Sequence, residues 1–405
     1  MPRCMCTGRP RSNAGRVTTH AAQNPFLKNF KVSISMTLAA NCADKRMIHV
    51  TWGDGSEADF PYLWLIDNDP AGFHPDTKER AFDLTTVADD TVPTDVQVIE
   101  NRLEVSWSGL PGQSRLSLNW LRDHQPGKRR ADPASVPPTT WRSEWGADGV
   151  PRWQSDDIAN SDEALLGWMA DTRRYGLSII EGLPDDADAG WKIAERIGYL
   201  RITNFGSGFE VKSMPNPTNL AFTALALPLH TDLPYQECPP GYQFLHCIAN
   251  EADGGESVFC DGFAVAEDFQ KLHPEQFELL TRIAIPFRYH DDLVDIRSRH
   301  PILVTDTDGK VAEICFNAHI GDVVDLEADQ LVEFYPAYLN LMRLVRDPAY
   351  AVPLKLRAGE MVVFDNRRAL HGRSAFNPES GFRHLHGCYV DRGDFDSKFR
   401  LLSGR

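Results

Sequence analysis

The sequence predicts a mainly β fold with helices, an α+β arrangement. Its core is an antiparallel barrel or jelly roll with helical buttresses, preceded by a small β-rich domain. Three observations predict it. Short β-type runs dominate beyond residue 200, one long helical pattern interrupts them, and residues 45–122 carry a strand set of their own between turn signals. The elements divide the chain into an extension (1–43), a small N-terminal β domain (44–122), a linker (123–155) and a main domain (156–405).

Residues 1–43 carry Arg3, Arg9, Arg11, Arg16, Lys28 and Lys31 and no acidic residue. They lack the apolar run of a secretory signal. They are expected to be either a disordered tail or a non-native extension from a start codon placed too early, Met36 then being the true start; an organelle transit peptide is the other reading. In the small domain, Met47 to Trp52 alternates and meets Gly53-Asp54-Gly55, a hairpin signal, before a second run from Phe60 to Ile66. Val96 to Ile99 and Leu103 to Trp107 flank a turn at Glu100-Asn101. Residues 123–155 are rich in Pro, Arg, Asp and Ser, which reads as a linker.

Two helical patterns follow, with Ala164, Leu165, Trp168 and Met169 on one face and Trp191, Ile193, Ala194 and Ile197 on another. The strand candidates beyond them are Gln243–Ile248, Ser257–Cys260, Ala312–Asn317, Glu360–Phe364 and Arg383–Val390. Leu331, Phe334, Tyr338, Leu341, Met342 and Val345 recur at helical spacing over 328–346.

Composition excludes several classes. With 42 basic and 57 acidic residues the net charge is −15, which disfavours nucleic-acid or anionic-membrane partners. No apolar run approaches the roughly 20 residues needed to span a bilayer. Eight scattered cysteines without a CxxC pair read as reduced thiols, which points to the cytoplasm.

The chemistry lies in two distant segments. LPLHTDLP carries His230-Thr231-Asp232, and residues i and i+2 of an extended strand project to one face. FDNRRALHGRSAF offers His371. Two imidazoles and one carboxylate make a face that leaves three positions open on Fe(II) for a co-substrate and dioxygen. An isolated HxD is a weak signal. Arg383, twelve residues after His371 in the next strand, adds a guanidinium suited to the distal carboxylate of 2-oxoglutarate.

At these residues the sequence resembles the γ-butyrobetaine hydroxylase and trimethyllysine hydroxylase family of taurine-dioxygenase-like oxygenases. The likeness covers about 45–405 and is strongest in LAFTALALPLHTDLPYQECPPGYQFLHCIANEADGGESVFCDGF and FDNRRALHGRSAFNPESGFRHLHGCYVDRGDF. It implies a double-stranded β-helix core. It also implies iron ligation by His230, Asp232 and His371, and 2-oxoglutarate binding by Arg383 with Ser257 assisting. Ascorbate is implied as reductant. His246 is read as a packed structural histidine. An aromatic box for a trimethylammonium group maps to Phe205, Phe209, Phe222 and Tyr389, and the substrate's anionic end maps to Asn219 and Asn317. The zinc-binding cysteine cluster of animal members has no counterpart in Asp69–His74, so no structural zinc is expected.

The expected reaction is hydroxylation of a small trimethylammonium acid, γ-butyrobetaine first. 2-(Trimethylamino)ethylphosphonate is second and would favour an extra guanidinium such as Arg297 or Arg299. Trimethyllysine is third. A non-catalytic quaternary-amine binder is the reading from another class. A homodimer is implied by the resemblance alone.

Overall fold

The computed structural model describes residues 46–212 and 223–404. The expected extension at 1–43 lies outside the described residues. Two compact units meet in sequence between Arg130 and Ala131.

The first unit holds β1 (Met47–Thr51) paired with β2 (Glu57–Pro61), and a three-stranded sheet of β3 (Pro93–Ile99), β4 (Arg102–Trp107) and β5 (Gln113–Ser117). Gly55 turns the first hairpin at φ 83° and Glu100 the second at φ 54°. Their inward residues, among them Val50, Phe60, Leu103, Val105 and Leu116, form one buried cluster. The run expected as a strand from Phe60 to Ile66 breaks instead at Pro61, and Tyr62–Asp67 is a helix whose Leu65 and Ile66 enter that cluster. The segment 123–155 is divided as well. From Ala131 it belongs to the second unit, where Ala134, Trp141 and Val150 are buried.

The second unit is built on two facing sets of strands. The major sheet runs β6 (Arg152–Gln154), β7 (Leu177–Glu181), β18 (Met361–Asp365), β10 (Tyr242–Asn250), β21 (Arg383–Val390) and β8 (Phe209–Val211). The minor sheet runs β17 (Val352–Leu354), β12 (Ser257–Asp261), β19 (Ala369–Arg373) and β9 (Leu227–His230). All neighbours are antiparallel except β6 and β7. The interleaved strand order is that of the expected double-stranded β-helix. Two short pairs lie beside it: β11 (Asp253–Gly254) with β20 (Phe376–Asn377), and β15 (Leu303–Thr305) with β16 (Val311–Ile314). A hairpin of β13 (Ala284–His290) and β14 (Asp295–Pro301) completes the strands.

Helices cover the outer faces, because each sheet has apolar side chains on both sides. Helix Asp162–Tyr175 starts at Ser161, whose hydroxyl accepts from the Ala164 N–H, and ends at Gly176 in the left-handed region, φ 69°. It buries Leu165, Trp168 and Met169 with Phe244, Met361 and Val363 of the major sheet. Helix Ala328–Val345 buries Phe334, Leu341 and Val345 among the residues beside the minor sheet. No described helix is long and apolar enough to cross a membrane.

One ion pair ties the layers together. Arg368 is 2% exposed and Asp261 is fully buried. Arg368 donates Nε–H and Nη2–H to the two Asp261 oxygens at 3.0 and 2.9 Å, and also to the carbonyls of Arg174 and Thr139. Losing one member strands a buried charge, which costs about 3–5 kcal/mol, whereas replacing both with apolar groups is often close to neutral. Arg368→Met and Asp261→Leu are therefore each expected to lower the denaturant midpoint strongly. The double variant is expected to recover much of that loss; additive losses would contradict the pairing.

His246 is 1% exposed and neither ring nitrogen has a partner among the described residues, in keeping with a packed histidine. Burial, aided by neighbouring His386, pushes it down to about 4 from an ordinary 6.5. The unfolded chain binds this proton more readily, so stability is complete above about 6.5 and falls as pH drops toward 4. Melting temperatures across this range are expected to fall less steeply for His246→Leu than for the parent; identical slopes would contradict it.

Candidate metal centre and active site

Strand pairing brings the two distant segments together. In the β9–β19 ladder His371 lies directly opposite His230, with an irregularity just beyond. Their ring centroids are 4.3 Å apart. The Asp232 Oδ1 atom is 3.2 Å from His230 Nε2 and 3.8 Å from His371 Nε2. Among the described residues this is the one group of three such side chains with ligand atoms all within 4.8 Å.

Asp232 is not held by a strand. β9 ends at His230, and the chain turns through Leu233 at φ 54°. The position is fixed instead by Asn366, fully buried, whose Oδ1 accepts from the Asp232 N–H at 2.7 Å and whose Nδ2 donates to the Asp232 carbonyl at 3.0 Å. Thr231 is pinned from the other side, its N–H donating to the Phe316 carbonyl at 2.7 Å. The Tyr389 hydroxyl donates to Asp232 Oδ2 at 2.6 Å. Burial keeps that phenol well above its ordinary pKa, so it remains a donor.

The donor set fits a divalent first-row metal. His230 Nδ1 donates to the Pro228 carbonyl at 2.8 Å, which fixes the tautomer and leaves the Nε2 lone pair available to a metal. Burial pushes His371 down to about 3, so its imidazole is neutral at physiological pH. Burial opposes ionisation of Asp232, but the polar groups around it, the donating Tyr389 hydroxyl among them, outweigh it and hold the carboxyl well below its usual range. Two imidazoles and one carboxylate make up the donor set. Adjacent ligands about 2.1 Å from an ion at right angles stand roughly 3 Å apart, which matches the 3.2 Å spacing and is approached by the 3.8 Å one. Phe364 packs on the His371 ring at 4.7 Å between centroids.

A pocket opens from this triad between the sheets. Alternation along β21 points Arg383, Leu385 and Tyr389 into it, and alternation along β10 points Gln243 and Leu245. The minor sheet contributes Ser257, Phe259, His371 and Arg373. Arg383 is 6% exposed and makes no ion pair with a described carboxylate. Its space is made by Gly255, where a Cβ would lie 3.1 Å from Arg383 Nε and where φ is 65°. Ser257 and Arg383 thus line the same pocket as the triad.

The aromatic positions that line the pocket pack on one another. Phe209 stacks on Tyr389 at 5.1 Å, and Phe205 meets Tyr289 edge-on at 5.6 Å. Tyr289 in turn stacks on Tyr235 at 5.1 Å. The expectations for Phe222 and Asn219 lie outside the described residues. Asn317 lines the pocket, but its Nδ2 already donates to the Thr231 carbonyl at 3.0 Å while Oδ1 has no partner. It has at most one N–H left for an anion.

Arg297 and Arg299 lie elsewhere. They are exposed on β14, paired with Asp295 and Asp325, and line a separate surface cleft. Alternation explains it: Ile296, Ser298 and His300 take the more buried positions of that strand. Sequence reasoning did not single out Asn366, Tyr235, Tyr289, Gln243, His319 or Arg373 as pocket-building residues. The spacing of Arg373, two residues after His371 on one strand face, was the available signal for that one.

Comparisons agree with this geometry. The profile of the family described as "Taurine catabolism dioxygenase TauD, TfdA family" matches residues 135–389. A γ-butyrobetaine dioxygenase of Pseudomonas sp. (strain AK-1) is 37% identical over 364 residues, covering 88% of this chain and 93% of the relative. A trimethyllysine dioxygenase of Meyerozyma guilliermondii is 29% identical over 384 residues, covering 89% and 94%. The human γ-butyrobetaine dioxygenase is 28% identical over 373 residues, covering 89% and 95%. Taken with a two-histidine, one-carboxylate centre inside a double-stranded β-helix, these likenesses place the chain in the TauD, TfdA family as an iron(II)- and 2-oxoglutarate-dependent dioxygenase of a small molecule.

Proposed function

We propose that the protein hydroxylates γ-butyrobetaine to carnitine, with His230, Asp232 and His371 holding the iron. The observation that carries this reading is the aromatic end of the pocket, where Phe205, Phe209, Tyr289 and Tyr389 surround space beside the triad. A quaternary ammonium cannot donate hydrogen bonds, and π faces are its natural partners. The 37% identity to a γ-butyrobetaine dioxygenase supports the same choice.

Bound iron(II) with 2-oxoglutarate and dioxygen supplies the oxidising chemistry, in which the co-substrate becomes succinate and CO2 and one oxygen atom enters a C–H bond. The chain's own groups do the rest. Arg383 and Ser257 receive the distal carboxylate of the co-substrate. The rings fix the cationic end of the substrate, and Asn317 with Asn219 receives the anionic end. A substrate fixed at both ends presents one methylene to the metal, so position selects the carbon. Tyr389 has two tasks, a ring face for the ammonium and a hydroxyl that orients Asp232.

The phosphonate analogue would gain from an additional guanidinium, and Arg297 and Arg299 are engaged outside the pocket. That weakens this second reading without touching the trimethylammonium class.

Three outcomes test the proposal. Side-by-side assays of succinate release with γ-butyrobetaine, the phosphonate and trimethyllysine are expected to favour γ-butyrobetaine; preference for either rival would overturn the substrate. Phe205→Ala removes one ring worth about 0.5–2 kcal/mol, so KM should rise roughly 2- to 30-fold with kcat nearly kept. Tyr389→Phe keeps the ring and loses the bond to Asp232. It is expected to weaken metal binding about 10- to 100-fold, as loss of a ligand's hydrogen-bond partner does, with little change in substrate KM once metal is saturating.

A further inference from the structure

We infer that Arg373 is a second cationic arm of the co-substrate pocket, meeting the distal carboxylate of 2-oxoglutarate from the minor sheet while Arg383 meets it from the major sheet. The inference rests on the role proposed for Arg383.

The strands dictate the placement. Arg373 follows His371 by two residues on β19, so both side chains take the same face of the minor sheet. Its cross-strand partner on β12 is Ser257, and the next inward pair is Phe259 with His371. Ser257 and Arg373 therefore form one row of the pocket, immediately beside the row that holds the metal ligand. Arg383 enters from β21 of the other sheet, and all three line the same cavity.

Both guanidiniums lie against one aromatic ring. The Cζ atom of Arg373 is 4.9 Å from the Phe376 ring centroid and that of Arg383 is 5.6 Å from the same centroid. Each arginine is 6% exposed. Like charges buried in one pocket repel each other, and an anion that both could reach would be favoured there. A carboxylate offers about four lone-pair sites. A bidentate bond to one arginine uses two, which leaves two for a second guanidinium and the Ser257 hydroxyl.

Arg373 also has an architectural task, since its Nη2 donates to the carbonyls of Thr223 and Leu225 at 2.6 and 2.8 Å, just before β9. A purely architectural arginine would affect every ligand of the site alike. An anion arm would affect only ligands that carry the distal carboxylate. This difference makes the inference testable.

The experiment is calorimetric binding to the full chain loaded with Mn(II), without substrate, of 2-oxoglutarate and of 2-oxovalerate, which keeps the chelating keto-acid end and lacks the distal carboxylate. In the parent, 2-oxoglutarate should bind far more tightly. Arg373→Met is expected to weaken 2-oxoglutarate at least tenfold while changing 2-oxovalerate and Mn(II) affinity less than threefold. Arg373→Lys should lie between, and it carries the comparison if the methionine variant does not fold. Equal loss for both keto acids, or no loss for 2-oxoglutarate, overturns the second arm. Arg383→Met is the control. If it too fails to discriminate the keto acids, the pocket reading itself falls; if it discriminates and Arg373→Met does not, only the second arm falls.

Discussion

The site depends on one backbone register. His371 stands opposite His230 because β19 pairs with β9 at that step, and a slip of one residue would turn every inward side chain of β9 outward. On its other edge β19 pairs with β12, which sets Arg373 opposite Ser257 in the neighbouring row. Asp232 lies just past the ladder, where strand pairing no longer holds it, and a buried asparagine from another loop takes over. The centre is thus shared between a rigid sheet and a short hydrogen-bonded turn.

The pocket is electrostatically graded. At the centre are two imidazoles and an ionised carboxylate. Two buried guanidiniums, a hydroxyl and several aromatic rings line the same pocket. Buried charges are costly unless paired or hydrogen-bonded, and the Asp261–Arg368 pair is satisfied wholly within the protein.

Much of this was legible from residues alone. The HxD at 230–232, His371 and Arg383 come from segments long enough to carry a family likeness, and alternation in Arg383–Val390 gave the strand at its observed bounds. Other features are set by tertiary placement, which spacing does not encode. Asn366 reaches across 134 residues to orient Asp232. Tyr235 and Tyr289 join the aromatic wall from separate elements, stacked on each other. Arg297 and Arg299 are close to Asn317 in sequence but stand on the outward positions of a hairpin strand. The run after Phe60 was read by its apolar content, yet Pro61 converts it to a helix. Composition likewise marked 123–155 as a linker although Trp141 and Val150 pack in the core.

The most direct measurement is anomalous diffraction at the iron edge from crystals grown anaerobically with Fe(II). A single peak within bonding distance of His230 Nε2, an Asp232 carboxylate oxygen and His371 Nε2 is the predicted result. Iron bound at another place, or a fully loaded protein with no peak between these three side chains, would contradict the account.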